Sequence, residues 1–223
     1  MTNWRPLPGT GQEADEVLKT FPQLHIYRGS EATETRLKAL HGPEILHLAT
    51  HGFFLGDQGA APPAGDVSRA RETGGAGSTT PDENPLLRSG LALAGANKLS
   101  SHDEDGIVTA MEASGLDLWG TKLVVLSACE TGVGKVTNGE GVYGLRRALI
   151  IAGAESLVMT LWQVDDMATR DLMAGFYTRL RARTPTSSAL RATQLDIAAR
   201  HNYAHPYYWA SFLPAGNNAR IEE

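Results

Sequence analysis

The sequence predicts an α/β domain built on a mainly parallel sheet, and two stretches carry that expectation. In Lys122–Gly134 the unbroken β-favouring run Leu123–Leu126 gives way to Ser127, Ala128, the chain's single cysteine Cys129, and a glycine-containing loop. An apolar run without polar alternation is the pattern of a strand covered on both faces. Ile45–Gly52 has the same grammar, an apolar strand that ends in His51 and Gly52. In open α/β sheets ligands sit beyond the carboxyl ends of the strands. The two stretches therefore place one thiol and one imidazole where substrate chemistry is expected.

The remaining elements follow in order. Residues 1–9 read as an N-terminal tail. Thr10 and Glu13 fit a capping box for a helix carrying Ala14, Val17, Leu18 and Phe21, stopped by Pro22. Leu24–Tyr27 reads as a short strand, Ser30 as the cap of a second helix with Leu37 and Leu40 inward, and Glu44–Ala49 as the histidine strand. That order is β-α-β, which implies a parallel pair with a right-handed crossover. Residues 56–85, with 6 Gly and 4 Pro among 30, cannot bury enough surface to offset their ordering entropy. They read as a flexible insertion, open to tryptic cutting near Arg69 and Arg71 and a candidate self-processing site. Gly90–Ala94 then reads as a strand, Thr109–Ser114 as a short helix and Lys122–Leu126 as the cysteine strand. Next comes a helix striped by Val142, Leu145, Ala148, Leu149 and Ala152, closed by Gly153. Ser156–Leu161 reads as a strand, followed by a helix capped by Asp165 with Ala168, Leu172, Phe176 and Leu180 inward. Thr184 caps a last helix starting at Pro185, and a closing strand passes through Phe212 and Leu213. One domain, 10–216, is expected, with 217–223 as a C-terminal tail.

Composition narrows the function classes. The 223 residues are 42% hydrophobic and 20% charged, with a net charge of −5. That describes a globular chain and argues against direct phosphate neutralisation of nucleic acid. One cysteine excludes an intramolecular disulfide framework and fits a reducing compartment. No apolar run is long enough for a membrane span and no signal segment is visible, so the expected location is the cytoplasm.

Cys129 follows its strand and precedes Glu130-Thr-Gly-Val-Gly134, a setting for a functional thiol; the bland alternative is a small buried hydrophobe. His51 is the base suited to neutral pH, and Gly52 leaves an N–H unshielded by a side chain. His47 shares a strand face with His51, which admits a metal site with Cys129, but no carboxylate or third histidine adjoins either motif; His47 reads as a core histidine. Gly132-Val-Gly-Lys135 fails the phosphate-loop pattern, because Cys129 stands where its first glycine belongs and Val136 follows the lysine. No Gly-x-Ser-x-Gly elbow surrounds Ser127.

Six runs together resemble a known family: His47-Leu-Ala-Thr-His-Gly-Phe-Phe54, Leu86-Leu-Arg-Ser-Gly-Leu-Ala-Leu-Ala-Gly-Ala96, Leu126-Ser-Ala-Cys-Glu-Thr-Gly132, Gly139-Glu-Gly-Val-Tyr-Gly-Leu-Arg-Arg147, Leu161-Trp-Gln-Val-Asp-Asp166 and His205-Pro-Tyr-Tyr-Trp-Ala210. In this order, from about Leu7 to Gly216, the chain is similar to the CHAT domain, a caspase-like cysteine peptidase family of clan CD related to separase and often attached to tetratricopeptide repeats. Members carry a further strand and helix ahead of the segment matching Leu7. The chain thus reads as an excised module or as one whose edge strand comes from elsewhere.

The resemblance implies a three-layer α/β/α sandwich of caspase-like type. It implies His51 as general base and Cys129 as nucleophile, with the N–H groups of Gly52 and Cys129 holding the oxyanion. The implied substrate is a protein, no metal or cofactor is required, and a tetratricopeptide-repeat or other regulatory partner is expected. Several clan relatives bind a basic residue before the scissile bond through an acidic one. Asp166 is the expected pocket acid, with Asp165 as helix cap and Trp162 as apolar wall. The rival reading is a catalytically silent interaction module.

Overall fold

The computed structural model describes residues 4–54, 85–98, 104–130, 140–162, 165–218 and 220–221, with backbone alone at 54, 85, 129–130 and 140–143. The insertion read at 56–85, apart from Pro85, lies outside the described residues. Six strands form one sheet: β1 (Ile45–Phe54), β2 (Ser89–Ala92), β3 (Ile107–Thr109), β4 (Leu123–Glu130), β5 (Ser156–Thr160) and β6 (Phe212–Gly216), in spatial order β3-β2-β1-β4-β5-β6. The central strands β1, β4 and β5 are parallel, β2 and β6 are antiparallel to their neighbours, and β3 runs with β1.

Helices cover both faces. On one side α2 (Glu34–Lys38), α3 (Ala110–Ala113) and α4 (Glu140–Ile151) pack Leu37, Ala110, Leu145, Ala148 and Leu149 onto Leu46, Val124, Leu126 and Leu157. On the other, α1 (Pro8–Thr20), α5 (Asp166–Arg181) and α6 (Thr186–Ala198) pack Val17, Leu172, Phe176, Leu180, Leu190 and Ile197 onto Leu123, Val125 and Val158. This is the three-layer sandwich expected. The alternate residues of β4 divide between the two clusters, which is why its sequence has no polar face.

Several local expectations are corrected. The helix expected from Thr10 begins at Pro8, the favoured first position, and Thr10 Oγ1 donates to the Leu7 carbonyl from inside it. Glu13 is therefore not a capping-box partner; it is buried on the inward face with Gly9 and Val17. Residues 4–9 are not a tail, since Trp4 is pinned to Asn97 and the helix has already begun. Leu24–Tyr27 forms no strand: Leu24 packs on the α5-side core and the Tyr27 ring carries Arg36 at 4.5 Å. Strand propensity is expressed only where a neighbouring strand supplies partners. The parallel neighbour of β1 is instead β4, so the expected β-α-β unit at the N-terminus is absent. Ser30 lies in a 3₁₀ turn, and the next helix is capped by Thr33, which accepts from the Arg36 N–H. Pro185 is the residue before the last helix rather than its first, and Thr184 does not cap it.

Gly153 holds as read, and two further local features accompany it. Thr109 and Glu112 form a reciprocal capping box on α3. Gly153, at φ 113°, closes the turn after α4, where a Cβ would meet the Trp119 backbone. Pro214 is accommodated because β6 is an edge strand.

Candidate active site

The parallel pairing of β1 with β4 runs from Ile45↔Leu123 to Gly52↔Glu130 and sets His51 opposite Cys129. The two residues far apart in sequence thus become lateral neighbours at the carboxyl end of the sheet. His51 is not the end of its strand as expected. β1 continues through Phe54, pairing on its other side with β2 from His51↔Ala92 to Phe54↔Ser89. Gly52 consequently lies between Leu91 and Glu130 within the sheet. The loop expected to follow the thiol, Thr131–Gly134, lies outside the described residues.

The imidazole of His51 is 9% exposed, and one of its nitrogens has a defined partner. Nε2 stands 2.6 Å from the main-chain carbonyl of Arg5. A carbonyl only accepts, so Nε2 must carry the hydrogen. In the neutral ring the lone pair then resides on Nδ1, which is buried and has no hydrogen-bond partner among the described residues. Trp4 packs on the same ring, with centroids 5.4 Å apart, and also on Phe53 at 5.8 Å. The tautomer of the ring is thus set, with one nitrogen held and the other without a hydrogen bond among the described residues.

A second polar group lies deeper on the same side of the sheet. Glu13, 2% exposed, accepts from Ser127 Oγ at 3.2 Å and has Oε1 at 3.1 Å from His47 Nε2. That last contact is not a hydrogen bond. His47 Nδ1 pairs with the Tyr177 hydroxyl at 2.8 Å and stacks on its ring at 5.6 Å. Burial, and then the nearby Glu13 carboxylate, hold the Tyr177 phenol well above its usual range. His47 is thus engaged in a buried network. No group of three or more His, Cys, Asp or Glu side chains among the described residues is arranged to hold a metal ion.

Asp165 caps α5, accepting the Ala168 N–H at 2.9 Å. Asp166 is exposed and accepts the Gly9 N–H at 3.2 Å, and a Cβ on Gly9 would strike its side chain. Trp162 is half-buried beside the α5-side core and donates from Nε1 to the Tyr207 carbonyl at 3.2 Å.

Sequence reasoning missed Arg5, Trp4 and Asn97. A backbone carbonyl has no residue signature, and Trp4 and Asn97 come together only in the fold. Glu13 had a legible signal: it occupies the middle of the inward series Gly9, Glu13, Val17 at spacing four.

The family model of the CHAT domain matches residues 1–217, nearly the full length. The chain belongs to the CHAT-domain family. The CHAT domain described here is also similar to tetratricopeptide repeat protein 28 of Homo sapiens, 28% identical over 227 residues, and to the Mus musculus protein of the same name, 28% identical over 226. Each match covers 98% of this CHAT domain and 9% of the relative, so the chain spans less than a tenth of those proteins' length. The sheet and its two helical layers are those of a caspase-like fold. No helix among the described residues is long and apolar enough to cross a membrane.

Proposed function

We propose that this CHAT domain is a cysteine endopeptidase working through a His51–Cys129 dyad. The observation that carries the reading is the paired state of the imidazole. Its Nε2–H is committed to the Arg5 carbonyl, leaving the Nδ1 lone pair buried and unpartnered, in strand register with the cysteine.

In this mechanism His51 Nδ1 takes the thiol proton and the thiolate attacks the substrate carbonyl carbon. The tetrahedral intermediate collapses to a thioester as Nδ1–H passes its proton to the leaving amine. Water, deprotonated by the same nitrogen, then releases the acid and regenerates the thiol. The Arg5 carbonyl stabilises the imidazolium and holds its plane throughout. The oxyanion is assigned to the N–H groups of Gly52 and Cys129. Gly52 already has an interaction in the resting strand, which the oxyanion must share or displace. Asp166 is the acid for a basic residue before the scissile bond. Its carboxylate is exposed and the Gly9 N–H uses Oδ2, so Oδ1 is the oxygen offered to a guanidinium. The names of the two relatives support a regulatory partner or attached segment built of tetratricopeptide repeats. A cytoplasmic setting completes the reading.

The test is titration with a peptide chloromethylketone carrying Arg at its reactive end. Wild type should label stoichiometrically at Cys129, whereas Cys129→Ala should not label and should hydrolyse no peptide. His51→Ala should lose nearly as much, since members of one catalytic unit are strongly non-additive. Wild type that neither labels nor cleaves would instead identify a silent interaction module. A peptide library cut after Asp or a neutral apolar residue would overturn the Asp166 assignment and leave the dyad standing.

A further inference from the structure

Something must keep the Arg5 carbonyl on His51, because residue 5 lies ahead of α1 and belongs to no helix or strand. The structure provides one device for this. The Trp4 N–H donates to Asn97 Oδ1 at 2.8 Å, and Asn97 Nδ2 donates back to the Trp4 carbonyl at 2.8 Å. One side-chain amide thus grips both polar groups of a single residue, the pairing that a neighbouring strand would make. It is the residue immediately before the carbonyl that His51 uses. On the far side of Arg5 the chain enters the first turn of α1, where Gly9 is tied to Asp166.

Asn97 itself sits on a rigid turn. Ala96 N–H donates to Leu93 at 3.2 Å, Lys98 N–H to Gly95 at 2.7 Å, and Leu93 N–H to Gly106 at 2.6 Å. Gly95 and Gly106 have φ of 105° and 77°, and a Cβ on Gly106 would collide with the Ala96 nitrogen. The turn follows β2, which pairs with β1 at His51↔Ala92. The clamp and the base are therefore registered to the same pair of strands. Trp4 completes the arrangement, its ring lying on His51 and Phe53.

We infer that Asn97 is a positioning residue for the His51 base, acting through the backbone of Trp4 and the carbonyl of Arg5. The inference rests on the peptidase reading for its effect on turnover, but not for its effect on the imidazole. Without the clamp the strap between residues 4 and 7 loses its fixed point. Nε2 then exchanges the carbonyl for water, and the ring samples both tautomers. Only the tautomer protonated on Nε2 presents a lone pair at Nδ1. The clamp's hydrogen bonds are solvent-exposed, so they contribute little net stability. Their effect should appear in rate rather than in melting.

The experiment compares wild type, Asn97→Ala and Asn97→Asp in the full chain. ¹⁵N-detected NMR reads the His51 ring, with kcat and KM measured on an Arg peptide. Asn97→Ala should leave the thermal midpoint and KM near wild type, lower kcat by about tenfold to a hundredfold, and convert a single Nε2–H tautomer into a mixture. Asn97→Asp keeps the acceptor for the Trp4 N–H and loses the donor, so it should fall between. A wild-type tautomer in Asn97→Ala overturns the inference, whatever the rates. If Asn97→Ala melts early, the tautomer in Asn97→Asp decides in the same way. Wild type without peptidase activity sinks the peptidase reading alone, because the ring signals still report on the clamp.

Discussion

Replacing Glu13 by alanine tests whether the polar group under the dyad is part of what holds the sandwich together. Glu13 is 2% exposed; its carboxylate accepts from Ser127 Oγ at 3.2 Å and lies against His47 Nε2 at 3.1 Å without a hydrogen bond. Truncation strands both in the layer between α1 and the sheet. The stranded hydroxyl and the uncovered imidazole edge, at about 1–3 kcal/mol each, give roughly 2–6 kcal/mol. With a total stability of about 5–15 kcal/mol for a domain, that is a large fraction. Each kcal/mol moves the midpoint of a chain this long by about 2–4 °C, so the fall is on the order of 10 °C. Glu13→Gln should cost far less, about 1 kcal/mol. The amide keeps an oxygen for Ser127, and its nitrogen donates to His47 once that ring carries its hydrogen on Nδ1 and gives it to the Tyr177 hydroxyl. The assay is urea unfolding followed by tryptophan fluorescence at neutral pH. Glu13→Ala within 1 kcal/mol of wild type, or Glu13→Gln as damaging as alanine, would refute this account.

Two further predictions use the same structure. The Tyr177 phenol is raised by burial and by Glu13, so its folded value lies above the unfolded one near 10. The stability linked to it is fully present below about pH 10 and is lost as pH rises through the folded value. Tyr177→Phe leaves His47 Nδ1 without its partner and should lose about 1–3 kcal/mol at pH 8; urea midpoints should show that gap narrowing above pH 10, and a pH-independent gap would contradict the assignment. Gly106→Ala adds strain at φ 77° and a Cβ against the Ala96 backbone nitrogen. It should cost more than the roughly 1–2 kcal/mol of the left-handed conformation alone and disturb the Asn97 turn, read as a lowered melting temperature together with loss of the single His51 tautomer.

The sequence alone determined the layers. Leu123–Leu126 had to be an interior strand because no polar face was available to meet water. The stripes Leu145-Ala148-Leu149 and Leu172-Phe176-Leu180 had to be helices facing inward, and both stripes are buried. The candidate thiol and imidazole stood out because each ends an apolar run. Local punctuation was legible too, in Gly153 and in Asp165 as the cap of α5. Tertiary structure decided which strand lies beside which. Leu24–Tyr27 has the composition of a strand yet finds no place in the sheet, whereas β3, only three residues long, does, because backbone pairing depends on neighbours rather than on propensity. It also decided what the polar residues of α1 and the turn after β2 are for. Glu13 reads as a capping residue and Asn97 as an ordinary surface residue until the helix and the turn are docked. Then one carboxylate is 114 residues in sequence from its serine, and one amide 93 from the backbone it grips. The group that sets the His51 tautomer is a main-chain carbonyl, common to all residue types. Only the path of the chain across the sheet could bring it there.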